Sequence, residues 1–260
     1  MHNSRAQLAN LQELRDEIFL SPLRGAMPPS VGEAILPFDK PYGWSSFDAI
    51  RYVQRMVQRV TGEKKFKIGH AGTLDPLATG LLVICIGKAT RRAAQLQAAQ
   101  KEYLAHVCLG AVTPSYDLET DITQASDFRS ITREQVERQL RSMLGEQLQA
   151  PPQFSAKQVD GQRAYALARK GIAADVKPNA VTFYSIDLQD FDLPYLSILV
   201  RCSKGAYIRS FAHDLGLSLG CGAYLHGLRR TACGSISIKD CVNAEQLSSL
   251  PASLLLSDIA

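Results

Sequence analysis

Four runs of branched and aromatic residues predict β-strands in this chain. They read LLVICIG, YLAHVCLG, VTFYSIDL and LSILVRC, at residues 81–87, 103–110, 181–188 and 196–202. Each run has the length of a typical strand and is rich in residues that pack well on a pleated surface. The chain is therefore expected to contain a substantial sheet.

Helical periodicity lies between and beside these runs. Apolar residues at helical spacing predict one face of a first helix that Ser45 or Ser46 caps: Phe47, Ile50, Val53, Met56 and Val60. A second helix is predicted to open at Thr132, because Gln135 stands three residues later at capping-box spacing, and to bury Val136, Leu140 and Met143 before Gly145. Strands and helices together indicate an α+β fold.

The first residues look like an appendage. Apolar positions at helical spacing, namely Leu8, Leu11, Leu14 and Ile18, precede the sequence PPSVGE, which resembles a linker. We therefore expect an N-terminal helical extension and linker over residues 1–32, a catalytic domain over 33–250 and a short tail over 251–260. Met27 is an alternative start of the protein.

The amino-acid composition says more about the cellular compartment of the protein than about its binding partner. The formal net charge of +4 permits a polyanionic partner without requiring one. Six cysteines are scattered without metal-ligand spacing, which predicts buried, reduced thiols and no metal site. The sequence has neither a signal peptide nor an apolar run long enough to span a membrane. A cytoplasmic protein without membrane association is expected.

The most informative stretch is KIGHAGTLDPLATGLLVICIG, in which a polar loop with His70 and Asp75 runs into an apolar strand. Taken alone, Asp75 before Pro76 suits helix capping, since proline is favoured at the first helical position. A lone histidine such as His70 is more often a surface or backbone-bonded residue than a catalyst. Lys40, before a Pro-x-Gly turn, has the pattern of a solvated turn residue.

A second candidate segment, RCSKGAYIRSFAHDLG, places a strand, a turn and a helix start in succession. Arg201, Lys204 and Arg209 concentrate positive charge there, which suits phosphate or carboxylate binding, although surface solvation explains the same pattern. Further basic residues that are candidates for contacts with an RNA backbone are Lys64, Lys65, Lys67, Arg91, Arg92, Arg163, Arg169, Lys170, Arg229 and Arg230.

Together these segments resemble a known family. DKPYGWSS, GHAGTLDPLATG, KEYLAHVCLG, PPQFSA, AYALARKG, GAYIRSFAHDLG and LRR occur in this order and are similar to the successive motifs of the TruB family of tRNA pseudouridine synthases. The resemblance covers roughly residues 34–240. It implies the pseudouridine-synthase α+β fold, a mixed and largely antiparallel sheet flanked by helices, with an RNA-binding insertion at about 151–178.

The resemblance also implies an isomerase that converts the T-loop uridine at tRNA position 55 to pseudouridine. It assigns Asp75 as the nucleophile, Arg209 as the cation that pairs with it, and Tyr103 as the residue that stacks on the base and takes a proton. The expected substrate-binding residues are His70, Tyr207, Leu228 and Lys40. The target base is expected to be flipped out of its stack. The expected partner is tRNA, with no cofactor and no obligatory protein partner.

The sequence departs from the family pattern at several positions, which limits the residue roles that the resemblance implies. Lys157 stands one place early and Gln158 occupies the usual lysine position, while Thr120 replaces a typical glycine. The sequence ends soon after the last motif, so we expect no separate C-terminal RNA-binding domain and a grip on tRNA through the insertion. Two alternatives stay open: a non-catalytic tRNA-binding or tRNA-folding module, and a guide-RNA-dependent pseudouridine synthase.

Overall fold

The computed structural model describes residues 32–155, 157–159, 161–172 and 174–249. The expected N-terminal helix and the tail after residue 250 lie outside the described residues. The α-helices are α1 (Ser46–Thr61), α2 (Ala93–Ala98), α3 (Arg133–Ser142), α4 (Ala164–Ala168), α5 (Ile208–Ser218) and α6 (Ala244–Ser249). The strands are β1 (Glu33–Lys40), β2 (Ile68–His70), β3 (Ala78–Gly87), β4 (Lys101–Leu109), β5 (Ala111–Val112), β6 (Gln124–Ala125), β7 (Gly145–Gln149), β8 (Gln158–Val159), β9 (Gln162–Arg163), β10 (Asn179–Asp192), β11 (Tyr195–Cys202), β12 (Ala223–Cys233) and β13 (Ile236–Ser237).

The chain divides into two compact units. Among the described residues, unit 1 comprises those of 32–99 and 230–249, and unit 2 comprises those of 100–229. In unit 1, strand β3 pairs antiparallel with β1, from Glu33 opposite Gly87 to Lys40 opposite Gly80, and with β2. Residues 81–85 of β3 are fully buried, which requires apolar side chains on both faces of the strand. The continuous apolar run LLVIC meets that requirement.

Unit 2 is built on an antiparallel sheet in the order β4, β11, β10, β7. Its inward face buries alternate residues of β11, namely Leu196, Ile198 and Val200, as expected for a strand with one face on a core. Phe183 of β10 packs on Phe211 of α5, with ring centroids 5.4 Å apart. All four predicted strands are confirmed, and so is the α+β class.

Helix α1 confirms the predicted element but corrects its buried face. Ser45 is the N-cap, in a capping box with Asp48. Ile50 and Val53 are buried as predicted, whereas Phe47 is 66% exposed. The buried stripe instead includes Ser46 and Ala49. The prediction for Phe47 was wrong because apolar spacing alone does not determine where a stripe ends.

The second predicted helix is confirmed as α3. Thr132 is its N-cap and forms the capping box with Gln135, and Val136 and Leu140 are buried. The cysteines are free thiols, as expected. Five of them are buried and Cys241 is half-buried. Burial raises the pKa of the Cys202 thiol to about 12, which keeps it protonated.

Candidate active site

Asp75 lies in a turn between β2 and β3 of unit 1. Its carbonyl accepts a hydrogen bond from the backbone N–H of Ala78 at 3.0 Å, with Pro76 at the second position of the turn. The chain then continues directly into β3. The helix-capping interpretation of Asp75 was therefore wrong. The side chain of Asp75 is half-buried.

The residue before Asp75 is held by Ser46, the first residue of α1. The Ser46 hydroxyl donates to the carbonyl of Leu74 at 2.9 Å and accepts from the Leu74 N–H at 2.8 Å. Ser46 is 4% exposed, so water competes little for these bonds. On the other side of Asp75, the Gly43 N–H donates to the carbonyl of Pro76 at 2.9 Å. Both neighbours of Asp75 are thus fixed to the segment around the start of α1.

Lys40 is fully buried, so its interpretation as a solvated turn residue was wrong. Its ammonium donates to the carbonyls of Trp44 at 2.6 Å, Pro41 at 3.1 Å and Pro76 at 3.4 Å. Burial lowers the pKa of Lys40 to about 8, while the negative charge of Asp75 acts in the opposite direction. Lys40 therefore supports the loop next to Asp75 and lies within the electrostatic reach of its carboxylate.

Arg230 of unit 1 is 1% exposed. Its guanidinium donates to backbone carbonyls of the Asp75 loop and of β3. Its candidacy for contacts with an RNA backbone is therefore wrong, because a phosphate group cannot reach a guanidinium that is enclosed in the protein.

His70 ends strand β2 and is half-buried. Burial and, to a smaller extent, the charge of Arg230 lower the pKa of His70, so that the neutral imidazole predominates at neutral pH. Within the described parts of the chain, nothing bonds to its buried Nδ1 atom. Lys40, His70, Asp75 and Arg230 therefore form one electrostatically connected group in unit 1.

Arg209 is the second residue of helix α5 in unit 2, and it is only 4% exposed. A cation is unfavourable at a helix N-terminus because it meets the positive end of the helix dipole. Its Nε atom lies 3.7 Å from Oδ2 of Asp117, and its Nη1 donates to the carbonyl of Phe154 at 2.9 Å. A carboxylate thus offsets the burial of this guanidinium.

The three cations that the sequence places near the start of α5 lie in different surroundings. Arg201 pairs with Glu102 across strands β11 and β4 at 2.8 Å. Lys204 lies in the turn before α5, as predicted. Because Arg209 is buried and Arg201 is paired, these residues do not form one exposed basic patch in unit 2.

Asp117 belongs to a tightly bonded turn. Its carboxylate accepts from the Glu119 N–H at 2.9 Å, and its carbonyl accepts from Thr113 Oγ1 at 2.7 Å. Tyr116 next to it has φ +63° and stacks on His213 with ring centroids 3.8 Å apart. A non-glycine residue in this left-handed conformation needs support from its surroundings, which the stacked ring supplies. Sequence reasoning noticed this segment only as a turn and missed Asp117 as a partner of Arg209.

The departures from the family pattern have local explanations. The Thr120 hydroxyl bonds the Ser115 N–H at 3.1 Å and the Ser115 hydroxyl at 2.9 Å, so threonine closes this turn with its side chain. The Lys157 ammonium bonds the Lys177 carbonyl and the Asn179 side chain, so in this structure it is engaged within the insertion.

The other predicted site residues of unit 2 lie on strands or at a helix start. Tyr103 is on β4 opposite Val200 and is 9% exposed. Tyr207 is the N-cap residue of α5, and its backbone N–H and carbonyl bond the Gln149 side chain at 2.7 and 3.0 Å. Leu228 is half-buried on β12. Gln149 was not predicted, yet it fixes the backbone from which Tyr207 projects.

Across the described residues, no three His, Cys, Asp or Glu side chains are grouped as a metal site requires. In the same residues, every helix is too short or too polar to cross a bilayer.

Comparisons with known proteins agree on one family. Residues 58–208 match the TruB family pseudouridylate synthase N-terminal domain, and residues 209–254 match the tRNA pseudouridylate synthase B C-terminal domain. The chain is 48% identical over 209 residues to tRNA pseudouridine synthase B of Bacteroides fragilis, covering 80% of this chain and 90% of that protein. The enzyme of the same name from Clostridium kluyveri is 42% identical over 217 residues, covering 84% and 73%.

Solved structures show the same fold. The Cbf5-Nop10-Gar1 complex contains a chain with a TM-score of 0.61 and 25% identity, covering 80% of this chain and 51% of that one. The archaeal box H/ACA sRNP Nop10-Cbf5 complex gives a TM-score of 0.62 at 24% identity, covering 94% of this chain and 63% of that one. The present chain thus spans about half to two thirds of the length of these structural relatives.

Proposed function

Because the chain belongs to the TruB family of pseudouridylate synthases, we propose that it isomerises a uridine of tRNA to pseudouridine with Asp75 as the nucleophile. The observation that supports this most directly is the half-buried carboxylate of Asp75 on a loop held from several sides. Catalytic side chains are often carried by loops that a rigid scaffold positions. The relatives that cover most of this chain are named for action on tRNA.

The reaction rearranges one bond and needs no redox step. The bond between N1 of uracil and C1′ of ribose breaks, and a bond between C5 and C1′ forms. The proton on C5 is lost and N1 gains one, so the atoms of substrate and product balance. Asp75 attacks in its ionised form at either C1′ of the ribose or C6 of the base. A bond to C1′ breaks as the C5–C1′ bond forms, whereas a bond to C6 breaks afterwards, and either route releases pseudouridine.

The remaining predicted residues take roles that the family resemblance implies. Tyr103 stacks on the base and accepts the proton from C5, and Arg209 supplies positive charge for the reaction. Stacking of a base on an aromatic ring contributes about 1–3 kcal/mol and tolerates a base that turns. Tyr207 and Leu228 contact the base. Lys40 has its ammonium bonded to three backbone carbonyls, so its part in substrate binding is to hold the Asp75 loop.

The proposed target is the T-loop uridine at tRNA position 55. Its reacting atoms are enclosed in a stack, so the nucleotide must be extruded at a cost of a few kcal/mol, which is lower in a loop than in a duplex. His70 is proposed to contact the RNA loop from which the base leaves. Its neutral imidazole suits stacking and hydrogen bonding without a charge.

The test is incubation of the purified protein with an unmodified tRNA transcript, without guide RNA, followed by mapping of every pseudouridine. Pseudouridine at position 55 is expected. Modification at another position would retain the chemistry and refute the target, and a requirement for guide RNA would favour the guide-dependent alternative.

Asp75→Asn separates an enzyme from a tRNA-binding module. The amide is nearly the same size but is a far weaker nucleophile, so pseudouridine formation should fall to the uncatalysed background while tRNA binding persists. Binding is measured by filter retention and product by mapping on the same preparation. An active Asp75→Asn variant would exclude Asp75 as the nucleophile.

A further inference from the structure

Arg230 is a buried cation whose guanidinium donates hydrogen bonds to three main-chain carbonyls. Its Nε donates to the carbonyl of Leu81 at 2.6 Å, its Nη2 to that of Gly72 at 3.1 Å and its Nη1 to that of Thr73 at 3.5 Å. Burying a charge is costly unless its donors are satisfied, and these carbonyls provide the acceptors. The burial of a charged guanidinium beside the Asp75 loop therefore indicates a specific role for Arg230.

The acceptors lie on both sides of Asp75 in the sequence. Gly72 and Thr73 precede Asp75, and Leu81 follows it in strand β3. The guanidinium therefore ties the start of the loop to the strand at its end. Since Ser46 bonds Leu74 and Lys40 bonds Pro76, Arg230 completes a set of three side chains that fix the loop on every side of Asp75.

The shape of the guanidinium explains why arginine suits this position. Its donors point in several fixed directions within one plane, so a single side chain reaches carbonyls on separate segments. A lysine ammonium is a compact point charge and a glutamine amide has two N–H donors. Gly72 also helps the loop to adopt this shape, because its φ of +109° is a backbone conformation that residues with a side chain rarely adopt.

We infer that Arg230 is a positioning residue of the isomerisation, whose guanidinium fixes the backbone on both sides of Asp75 and thereby the direction of its carboxylate. This inference rests on the proposed role of Asp75 as nucleophile. Arg230 itself is enclosed and does not touch the substrate. Its effect should appear in the rate of the chemical step and not in the binding of tRNA.

The experiment compares wild type, Arg230→Lys and Arg230→Gln under single-turnover conditions, with enzyme in excess over tRNA. Misplacement of a reacting group by about 1 Å can slow a reaction about 10²-fold, so we expect a rate loss of that order in Arg230→Lys and at least as much in Arg230→Gln. The affinity for tRNA should stay at the wild-type value, and most of the tRNA should eventually be converted. Arg133→Gln, which removes an exposed arginine on α3, is the matched control and should keep the wild-type rate.

A purely structural role gives a different result. In that case part of each preparation would be misfolded, so the concentration of tRNA-binding sites, titrated by filter retention, would fall. The remaining enzyme, kept in excess over tRNA, would still react at the wild-type rate. That outcome, or a wild-type rate in Arg230→Lys, would overturn the inference. A wild-type protein that makes no pseudouridine would instead refute the proposed function.

Gly72→Ala provides an independent variant if the Arg230 variants do not fold. It leaves the guanidinium intact and disturbs one acceptor carbonyl, because alanine is strained at this φ. The inference requires the same loss of rate with unchanged affinity. An unchanged rate in folded Gly72→Ala would contradict it.

Discussion

Each of the two units buries a cation among the predicted site residues, and the groups around the two cations differ. In unit 1 the Lys40 ammonium is surrounded by backbone carbonyls of its own turn and of the Asp75 loop. In unit 2 the Arg209 guanidinium faces the carboxylate of Asp117 and a backbone carbonyl. Carbonyl dipoles satisfy donors without adding a negative charge, whereas a carboxylate also offsets part of the charge of the cation.

This difference indicates two tasks for buried positive charge. The donors of the unit 1 cations hold the loop that carries Asp75. Burial lowers the pKa of Lys40 to about 8, although the negative charge of Asp75 opposes this shift. The Arg209–Asp117 pair instead anchors the start of helix α5 to the turn around Tyr116. Variants in unit 1 and in unit 2 can test this comparison.

The largest loss of stability is expected for Asp117→Asn. It removes the negative charge that faces a buried guanidinium, and breaking such a pair costs about 3–5 kcal/mol. Chemical denaturation of wild type and variant measures the difference in the free energy of unfolding. Glu137→Gln is the control, because it breaks an exposed pair with Arg133 and should cost about 0.3–0.5 kcal/mol. Equal losses in the two variants would show that burial does not distinguish these pairs.

The pH dependence of stability should report Lys40. Its pKa is about 8 in the folded protein and near 10.5 when unfolded, so between these values the unfolded chain binds more protons and the contribution of Lys40 to stability rises with pH. The advantage of wild type over Lys40→Met in unfolding free energy should grow by about 2 kcal/mol from pH 7 to pH 9.5. A difference that stays constant or shrinks would place the Lys40 amine in a more solvated setting.

The smallest expected effect on stability is that of Ser46→Ala. Loss of the hydroxyl leaves the buried N–H and carbonyl of Leu74 without this partner, at a cost of about 1–2 kcal/mol. Because Leu74 adjoins Asp75, single-turnover pseudouridylation should slow as well. Ser45→Ala, which removes the N-cap of the same helix, is a matched control for stability, since capping is worth about 1 kcal/mol. If both variants slow the reaction equally, the effect comes from α1 as a whole and not from the bond to Leu74.

The sequence by itself determined the secondary structure well. The run LLVICIG predicts β3 because a strand buried on both faces requires continuous apolar residues, and Thr132 with Gln135 predicts the start of α3 because the capping box is a local interaction. The ordered motifs from DKPYGWSS to LRR also identified the family, and comparison with relatives confirmed that identification. These features depend on neighbours along the chain, so they are visible without coordinates.

Only the tertiary structure decided the environment of single polar residues. Lysine and arginine are residue types that usually lie at the surface. Lys40 and Arg230 are nevertheless buried, because carbonyls from distant segments converge on them. Phenylalanine is a residue type that usually lies in the core, yet Phe47 is exposed. The contact of Arg209 with Asp117 joins residues far apart in the chain. Burial and charge pairing are properties of where segments meet, and a pattern along one segment does not contain that information.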